Sequence, residues 1–139
     1  FCNDRLWGTL SAVLIIHPRT EAEPGVSAAL YDAIDQLRYG AVGINQWTGL
    51  VYGLVTTPWG AHPSSTLKNV QGGLGWVHNT FMLEGIEKVV LRGPLTVFPK
   101  PPWFVTSKTA HEIAPKLVEL EFEPSVLKVP AIAIAALRG

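Results

Sequence analysis

The stretch LSAVLIIHPRTEAEPGVSAALYDAIDQLRYGAVGIN, residues 10–45, decides the fold of this chain. It opens with a short run of Val, Ile and Leu that Pro18 closes, and such runs are typical of strands buried on both faces. A second short apolar run, AVGIN, occupies residues 41–45. The order strand, helix, strand predicts a right-handed parallel crossover and therefore an α/β fold.

The segment between the two apolar runs has helical periodicity. Its polar residues lie off one apolar stripe, whose members are Val26, Leu30, Ala33, Ile34 and Leu37. Pro24 suits the first turn of this helix, and Gly40 stands where a left-handed residue would end it. Both ends therefore support the helix that the spacing predicts.

The chain on either side carries weaker signals. The first residues, FCNDRLWG, are typical of the last turn of a helix. Residues 46–75 mix Gly, Pro, Thr, Ser and aromatic residues without a sustained period, which predicts a long loop that bears a site or an interface. Residues 76–84 are compatible with a short helix, and residues 86–95 contain a further strand that Gly93 and Pro94 break.

Residues 96–139 begin with a Pro-rich link, FPKPPW. The spacing of Ala110, Ile113 and Leu117 predicts a helix that Pro115 should bend or end early, and Pro130 opens a small terminal helix. We therefore divide the chain into residues 1–95, which hold the strand–helix–strand parallel unit, and residues 96–139, a helical C-terminal extension.

Composition narrows the class of protein. Of the 139 residues, 47% are hydrophobic and 16% are charged, and the 11 basic side chains balance 11 acidic ones without forming a stripe, so we expect no nucleic-acid partner. No apolar run approaches the roughly 18 residues that would span a membrane. A single cysteine and the lack of a signal-peptide pattern favour a reducing cytoplasm. The high apolar fraction predicts that a neighbour covers part of the surface.

No set of residues assembles into a catalytic or metal site. Cys2 has no nearby His to stabilise a thiolate, so we expect it to pack within a helix, and the four histidines are too scattered for metal ligands. Trp47 and Trp59 lie in the long loop and fit two roles. They pack the loop onto the core, which we favour, or they line an apolar ligand tunnel.

Four segments, in order, resemble the C-terminal part of the aldehyde dehydrogenase catalytic domain. FCNDRLWG is similar to the family's A-N-x-x-x-Y-G-L passage, and LRYGAVGIN, residues 37–45, is similar to a helix ending in L-x-x-G before a strand closed by V-N. PWGAHPSS, residues 58–65, resembles P-F-G-G-x-x-x-S-G, and EKVV, residues 87–90, resembles E-x-K-x-V. Asn45, Pro58 and Gly60 occupy matching motif positions. Trp59 in place of Phe indicates a divergent, bacterial-type branch.

The resemblance implies an intact parent that oxidises an aldehyde to a carboxylic acid with NAD or NADP through a cysteine thiohemiacetal. It also implies that the nucleophile, the general base and the cofactor domain belong to a missing N-terminal part of the same protein. By itself this chain would then hold no catalytic residue, cofactor or metal, and it would be inactive. Its contribution would be scaffold, a substrate-tunnel wall formed by Trp47 and Trp59, and subunit contacts in a homo-oligomer.

Two other functions stay open. A free-standing, non-catalytic binding or oligomerisation module would explain the C-terminal extension and the apolar composition. An unrelated small α/β enzyme would require a pocket that joins His62 and His78.

Overall fold

The computed structural model describes residues 1–102 and 104–139, which form two units, residues 1–95 and residues 96–139. Trp103, the last residue of the predicted Pro-rich link, lies outside the described residues. In chain order the first unit contains β1 (Ser11–Leu14), α1 (Pro18–Glu21), α2 (Val26–Gln36), β2 (Ala41–Ile44), α3 (Gly49–Gly53), β3 (Trp59–Gly60), β4 (Trp76–Val77) and β5 (Val89–Arg92).

β1, β2 and β5 form a three-stranded parallel sheet with β2 in the centre. Leu14 is in register with Ile44, and Ile44 is in register with Arg92. β3 and β4 form a separate antiparallel pair. The strand–helix–strand parallel unit and the mixed α/β class that the sequence predicts are therefore confirmed.

The core lies between α2 and one face of the sheet. Ile34 of α2 packs with Tyr39, Val42 and Ile44, and half-buried apolar residues surround this cluster: Ala12, Leu14, Ile16, Leu30 and Leu37. On the opposite face of β2, the main chain of Gln46 and the side chain of Thr48 lie against Gly43. Because both of its faces are covered, every residue of β2 is buried, as the apolar run predicts.

β1 differs from its prediction because it is an edge strand. Its residues alternate between exposed and half-buried, and Ile15, just beyond it, is 78% exposed. α2 covers the face that carries Leu14, whereas Val13, on the other face, stays exposed. A continuous apolar run does not by itself tell a strand covered on both faces from one covered on a single face.

The predicted helix is present, with three corrections. It begins at Val26 after the N-cap Gly25, so Pro24 precedes its first turn. It ends at Gln36, because Leu37 is extended, so Gly40 does not act as a left-handed cap. Ala33, which we placed on the inward stripe, is exposed. Gly40 instead matters for close packing, since a Cβ there would collide with the carbonyl oxygen of Gly60. The sequence locates this glycine correctly but assigns it the wrong role.

No helix forms over residues 76–84, where the sequence is compatible with a short one. Trp76 and Val77 pair as β4 with β3, and His78 and Met82 then adopt left-handed backbone conformations with φ of 60° and 51°. Left-handed residues interrupt a right-handed helix, which explains why the short helix fails. The N-terminal residues form a single isolated turn in which the Arg5 N–H donates to the Phe1 carbonyl oxygen (2.9 Å), as in the last turn of a helix.

The second unit is helical, as predicted. It contains α4 (Ala110–Phe122), a short 3-10 helix (Val126–Lys128) and α5 (Val129–Leu137). α4 continues through Pro115, which the sequence led us to expect as a bend or an early end. The Lys128 ammonium donates to the carbonyl oxygens of Glu119 (3.2 Å) and Glu123 (3.0 Å), and so satisfies acceptors at the end of α4. Within the described residues, no helix is long and apolar enough to cross a membrane.

Candidate functional site

Asn45 terminates β2 in a strained but well-anchored conformation. Its φ is 56°, in the left-handed region that Asn tolerates better than most residues. The Ile16 N–H donates to Asn45 Oδ1 (2.8 Å), and Asn45 Nδ2 donates to the Ile16 carbonyl oxygen (3.0 Å). The carboxamide therefore continues the pairing of β1 with β2 by one residue while the main chain turns away into the loop.

The loop that follows β2 carries both tryptophans of the predicted tunnel. Trp47 is 66% exposed, and its ring lies against Gly49. The half-buried Trp59 meets the edge of the Tyr52 ring at a centroid distance of 6.0 Å, and Tyr52 in turn lies 4.5 Å from the His78 ring. Among the aromatic pairs of the described residues, none joins Trp47 to Trp59. The structure thus groups Trp59 with Tyr52 and His78, and it places Trp47 elsewhere on the loop.

Pro58 and Gly60 hold the loop against the sheet. Both residues are buried. A Cβ on Gly60 would collide with the carbonyl oxygen of Gly75, and the Ala61 N–H donates to that same oxygen (3.2 Å). Three main-chain segments therefore meet at Gly40, Gly60 and Gly75. At Gly40 and Gly60 only a glycine leaves enough space, whereas Gly75 has open space around it and a left-handed φ of 72°. This contact fixes the start of the segment that carries His62.

Lys88 is the anchor of a polar cluster beside this contact. Its ammonium donates to the carbonyl oxygens of Ile34 (2.9 Å), Asp35 (2.7 Å) and Leu37 (2.8 Å), all at the C-terminal end of α2. A cation at this end also complements the helix dipole. The Lys88 side chain is only 9% exposed, and its ammonium lies 3.0 Å from Glu87 Oε1. The position of the Glu87 carboxylate is therefore tied to the end of α2.

Glu87 joins Lys88 to His62. The hydrogen bond and the charge of Lys88, followed by the contact with His62, hold the pKa of the Glu87 carboxyl below its ordinary value. His62 Nε2 lies 3.5 Å from Glu87 Oε1, and the His62 side chain is 11% exposed. The carboxylate is ionised at neutral pH and faces one edge of a largely buried imidazole.

The other edge of the His62 ring faces Ser64. His62 Nδ1 accepts a hydrogen bond from the Ser64 N–H (3.1 Å) and lies 2.9 Å from Ser64 Oγ. The chain contains a second turn of the same kind, in which His17 Nδ1 accepts from the Arg19 N–H (3.1 Å) across Pro18. The sequence His-Pro-x thus forms this local turn twice. Among the residues that the structure describes, a hydroxyl and a carboxylate flank the ring at His62 alone.

Ser64 lines an open, polar cleft of about 410 Å³. The other lining residues come from the N-terminal turns and from nearby loops: Asn3, Asp4, Arg5, Leu6, Trp7, Thr9, Arg38, Asn69 and Gln71. Asp4 forms an ion pair with Arg38 on its wall. Thr9 is only 3% exposed, and its hydroxyl has no hydrogen-bond partner.

Sequence reasoning missed the cluster of Ser64, His62 and Glu87. Two of its segments, PWGAHPSS and EKVV, resemble family motifs, but nothing in their spacing indicates that they meet. His62 and His78 share no hydrogen bond in the described residues, and there is no group of three or more His, Cys, Asp or Glu suited to a metal in that part of the chain. Cys2 is exposed in a turn, so its expected packing within a helix is wrong.

Comparison with known proteins identifies no relative of this chain: no family model, no curated protein and no solved structure matches it. A function therefore has to be argued from the residues and their geometry.

Proposed function

We propose that this chain is the C-terminal scaffold of an aldehyde dehydrogenase-type catalytic domain and that it is inactive alone. The observation that carries the proposal is the double hydrogen bond between Asn45 and Ile16 at the end of the parallel strand–helix–strand unit. It gives a structural reason for an asparagine at the strand end, where the resembling motif also places one. The loop with Trp47, Pro58 and Gly60 follows in the order that the resemblance implies.

The remaining chemistry would come from the rest of the parent protein. Cys2 is the single thiol, and it lies in an exposed turn in which its carbonyl oxygen accepts a hydrogen bond from the Tyr39 hydroxyl (3.1 Å). In this proposal a cysteine outside the chain attacks the aldehyde, and NAD or NADP, bound by another domain, accepts the hydride. The parent is a cytoplasmic homo-oligomer to which this segment contributes subunit contacts.

Within the parent, the aromatic loop contributes to the wall of the aldehyde tunnel. Trp59, Tyr52 and His78 form one contiguous set of rings, which offers a flat surface to an apolar or aromatic aldehyde. The exposed ring of Trp47 is available to the same tunnel or to a neighbouring subunit. We propose Trp59 as the main determinant of aldehyde size because its ring is already held on the scaffold side by Tyr52.

A second candidate is a free-standing binding or oligomerisation module. The specific observation in its favour is the exposed apolar face of β1, where Val13 is 46% exposed and Ile15 is 78% exposed. An edge strand with such a face pairs readily with another chain. In the first proposal this face meets the remainder of the catalytic domain, and in the second it meets a separate partner.

The experiment that tests the proposal starts from the reading frame that contains the Phe1 codon. The complete gene product is assayed for aldehyde-dependent reduction of NAD and NADP, and the 139-residue chain is assayed in parallel. We expect activity from the complete product alone. In that product, W59A should raise KM for a bulky aldehyde by about tenfold, which corresponds to the loss of about 1.4 kcal/mol of apolar contact. Oxidation of aldehydes by the isolated chain would overturn the proposal.

A further inference from the structure

We propose that the helical hairpin formed by α4 and α5 is a dimer interface, at which a second copy of this chain packs its own hairpin in antiparallel orientation to complete a four-helix bundle. The interface lies in residues 96–139, beyond the segments that resemble an aldehyde dehydrogenase, so it does not depend on that function. Two features of the hairpin support it: an apolar surface larger than two helices can bury, and charges of opposite sign at its two ends.

α4 and α5 pack side by side as an antiparallel hairpin. The Lys128 ammonium, at the start of α5, donates to carbonyl oxygens at the end of α4. Arg138 follows the last residue of α5, and its Nη1 lies 3.5 Å from Oε2 of Glu112 in the first turn of α4. The start of α5 therefore lies beside the end of α4, and the end of α5 lies beside its start.

α4 is apolar over more of its surface than the hairpin buries. Ile113 is buried, and Leu120, two turns later on the same side, is half-buried. Successive helical residues are about 100° apart, so Leu117 lies near this side and Val118 and Phe122 lie further round the helix. The exposed fraction rises in that order, from 43% at Leu117 to 68% at Val118 and 92% at Phe122. An exposed apolar surface therefore adjoins the buried side of α4.

α5 has no polar side chain. Its sequence, VPAIAIAAL, contains only aliphatic residues and one proline. A helix that is apolar on all sides normally lies inside a protein core. Here Ala135 is buried, whereas Ile134 and Leu137 are exposed. Exposed apolar surface shared by both helices is typical of an interaction site, so we infer that a further helical layer covers the hairpin.

The charges of the hairpin identify a second copy as the occupant. Basic side chains outnumber acidic ones where α4 begins: Lys108, Lys116 and Arg138, against Glu112. Lys116 belongs to this end because its ammonium donates to the Glu112 carbonyl oxygen (3.1 Å). Acidic side chains outnumber basic ones where α4 ends: Glu119, Glu121 and Glu123, against Lys128. A second hairpin in antiparallel orientation places its basic end beside the acidic end of the first, and this complementarity holds at both ends of the bundle.

The helix dipole favours the same arrangement. Carboxylates at the C-terminal end of a helix are unfavourable. Lys128 lies 3.1 Å from the Glu123 carboxylate, whereas Glu119 and Glu121 point to no cation within the described residues. In an antiparallel pair these two glutamates lie near the N-terminal end of the other α4, where carboxylates are stabilising. The same acidic end would be repelled by an anionic lipid surface, so a membrane is the less suitable occupant.

The first test is sedimentation of the full 139-residue chain over a range of concentrations. We expect a reversible monomer–dimer equilibrium. F122S should raise the dimer Kd by at least about tenfold, because a phenyl ring is no longer buried. F81S is the matched control, since it removes a phenyl ring that is 71% exposed in the first unit, and it should leave Kd unchanged. A chain that is monomeric throughout, or a dimer that F122S leaves intact, would overturn the proposal.

The second test reverses the charges of the two ends. E121K and K108E, both at exposed positions, should each weaken the dimer, and the double variant K108E/E121K should recover it. Both losses should shrink at high salt. A double variant that dimerises no better than E121K would contradict the antiparallel orientation. Binding of the monomer to phosphatidylcholine vesicles that F122S abolishes would overturn the proposal in favour of a membrane. None of these measurements involves aldehyde oxidation, so their failure is distinct from failure of the dehydrogenase proposal.

Discussion

The carboxamide of Asn45 holds the main chain of Ile16 by two hydrogen bonds, of 2.8 and 3.0 Å, and so replaces the strand partner that a further residue of β2 would have supplied. Asn45 does this from a left-handed backbone conformation with φ of 56°. The same residue therefore ends the central strand and closes its pairing with β1. Asn45 therefore connects the strand–helix–strand unit, which the sequence predicts most clearly, to the loop that carries the proposed functional residues.

Removal of this side chain should destabilise the first unit. We expect N45A to lower the free energy of unfolding by about 2 kcal/mol, because two hydrogen bonds are lost and alanine is disfavoured at positive φ. N45G keeps the backbone freedom and loses only the hydrogen bonds, so it should be the milder variant. Urea unfolding of both measures the difference. A more stable N45A than N45G would show that the backbone conformation is not the one described.

The main-chain contact between Gly40 and Gly60 should make position 40 intolerant of any side chain. G40A places a methyl group against the Gly60 carbonyl oxygen, and we expect a loss of about 3 kcal/mol, as for an overpacked core. Gly53 is the matched control, since a Cβ there meets nothing within 4 Å and the residue lies in α3. G53A should be neutral or slightly stabilising. A lower melting temperature for G53A than for G40A would refute this packing.

Lys88 should stabilise α2 more than a surface lysine would. Its ammonium satisfies three carbonyl oxygens, so K88M should lower the free energy of unfolding by about 2 kcal/mol. K68M, at an exposed loop position, serves as the control and should change it little. Amide exchange adds a local readout: in K88M the protection of the last turn of α2 should fall first. Equal protection of the last turn of α2 in K88M and K68M would contradict the stabilisation of this helix end by Lys88.

The stability of the chain should depend on pH through Glu87. Because Lys88 and His62 lower the pKa of this carboxyl in the folded state, the unfolded chain binds its proton more readily. The resulting stabilisation is complete above the ordinary value of 4.5 and is lost as the pH falls through the lowered pKa. E87Q should therefore show a shallower acid-induced loss of melting temperature than wild type. E84Q, which removes an exposed carboxyl, is the control variant and should follow the wild-type curve. An E87Q curve parallel to that of wild type would contradict the coupling of Glu87 protonation to unfolding.

The strand–helix–strand unit was predictable because its signals are local. β2 is a short continuous apolar run, and α2 has an apolar periodicity with one inward stripe around Ile34. The exposed face of β1 was not predictable, because it depends on how far the loop after β2 extends across that face of the sheet. The β3–β4 pair was missed because residues with left-handed backbone, such as His78, carry no periodic signal.

The candidate site was less accessible to sequence reasoning than the fold. His62 and Glu87 are far apart in the chain and meet because β5 pairs with β2 while the glycine contact fixes the preceding loop. Neither the strand pairing nor the glycine contact appears as a sequence motif. Ser64 lies two residues after His62 in sequence, but only the orientation of the ring shows that the hydroxyl and the carboxylate flank opposite edges. Tertiary placement, and not residue type, creates this cluster.

We propose that this chain is the scaffold part of an NAD(P)-dependent aldehyde dehydrogenase. The most direct measurement is the formation of reduced nicotinamide from a series of aldehydes by the complete product of the reading frame that contains the Phe1 codon. If the proposal is right, we expect turnover that depends on a cysteine outside this chain. Substitution of that cysteine should abolish the turnover, whereas C2A should not. An upstream frame without such a cysteine and a cofactor domain, or a complete product that oxidises no aldehyde, would contradict it.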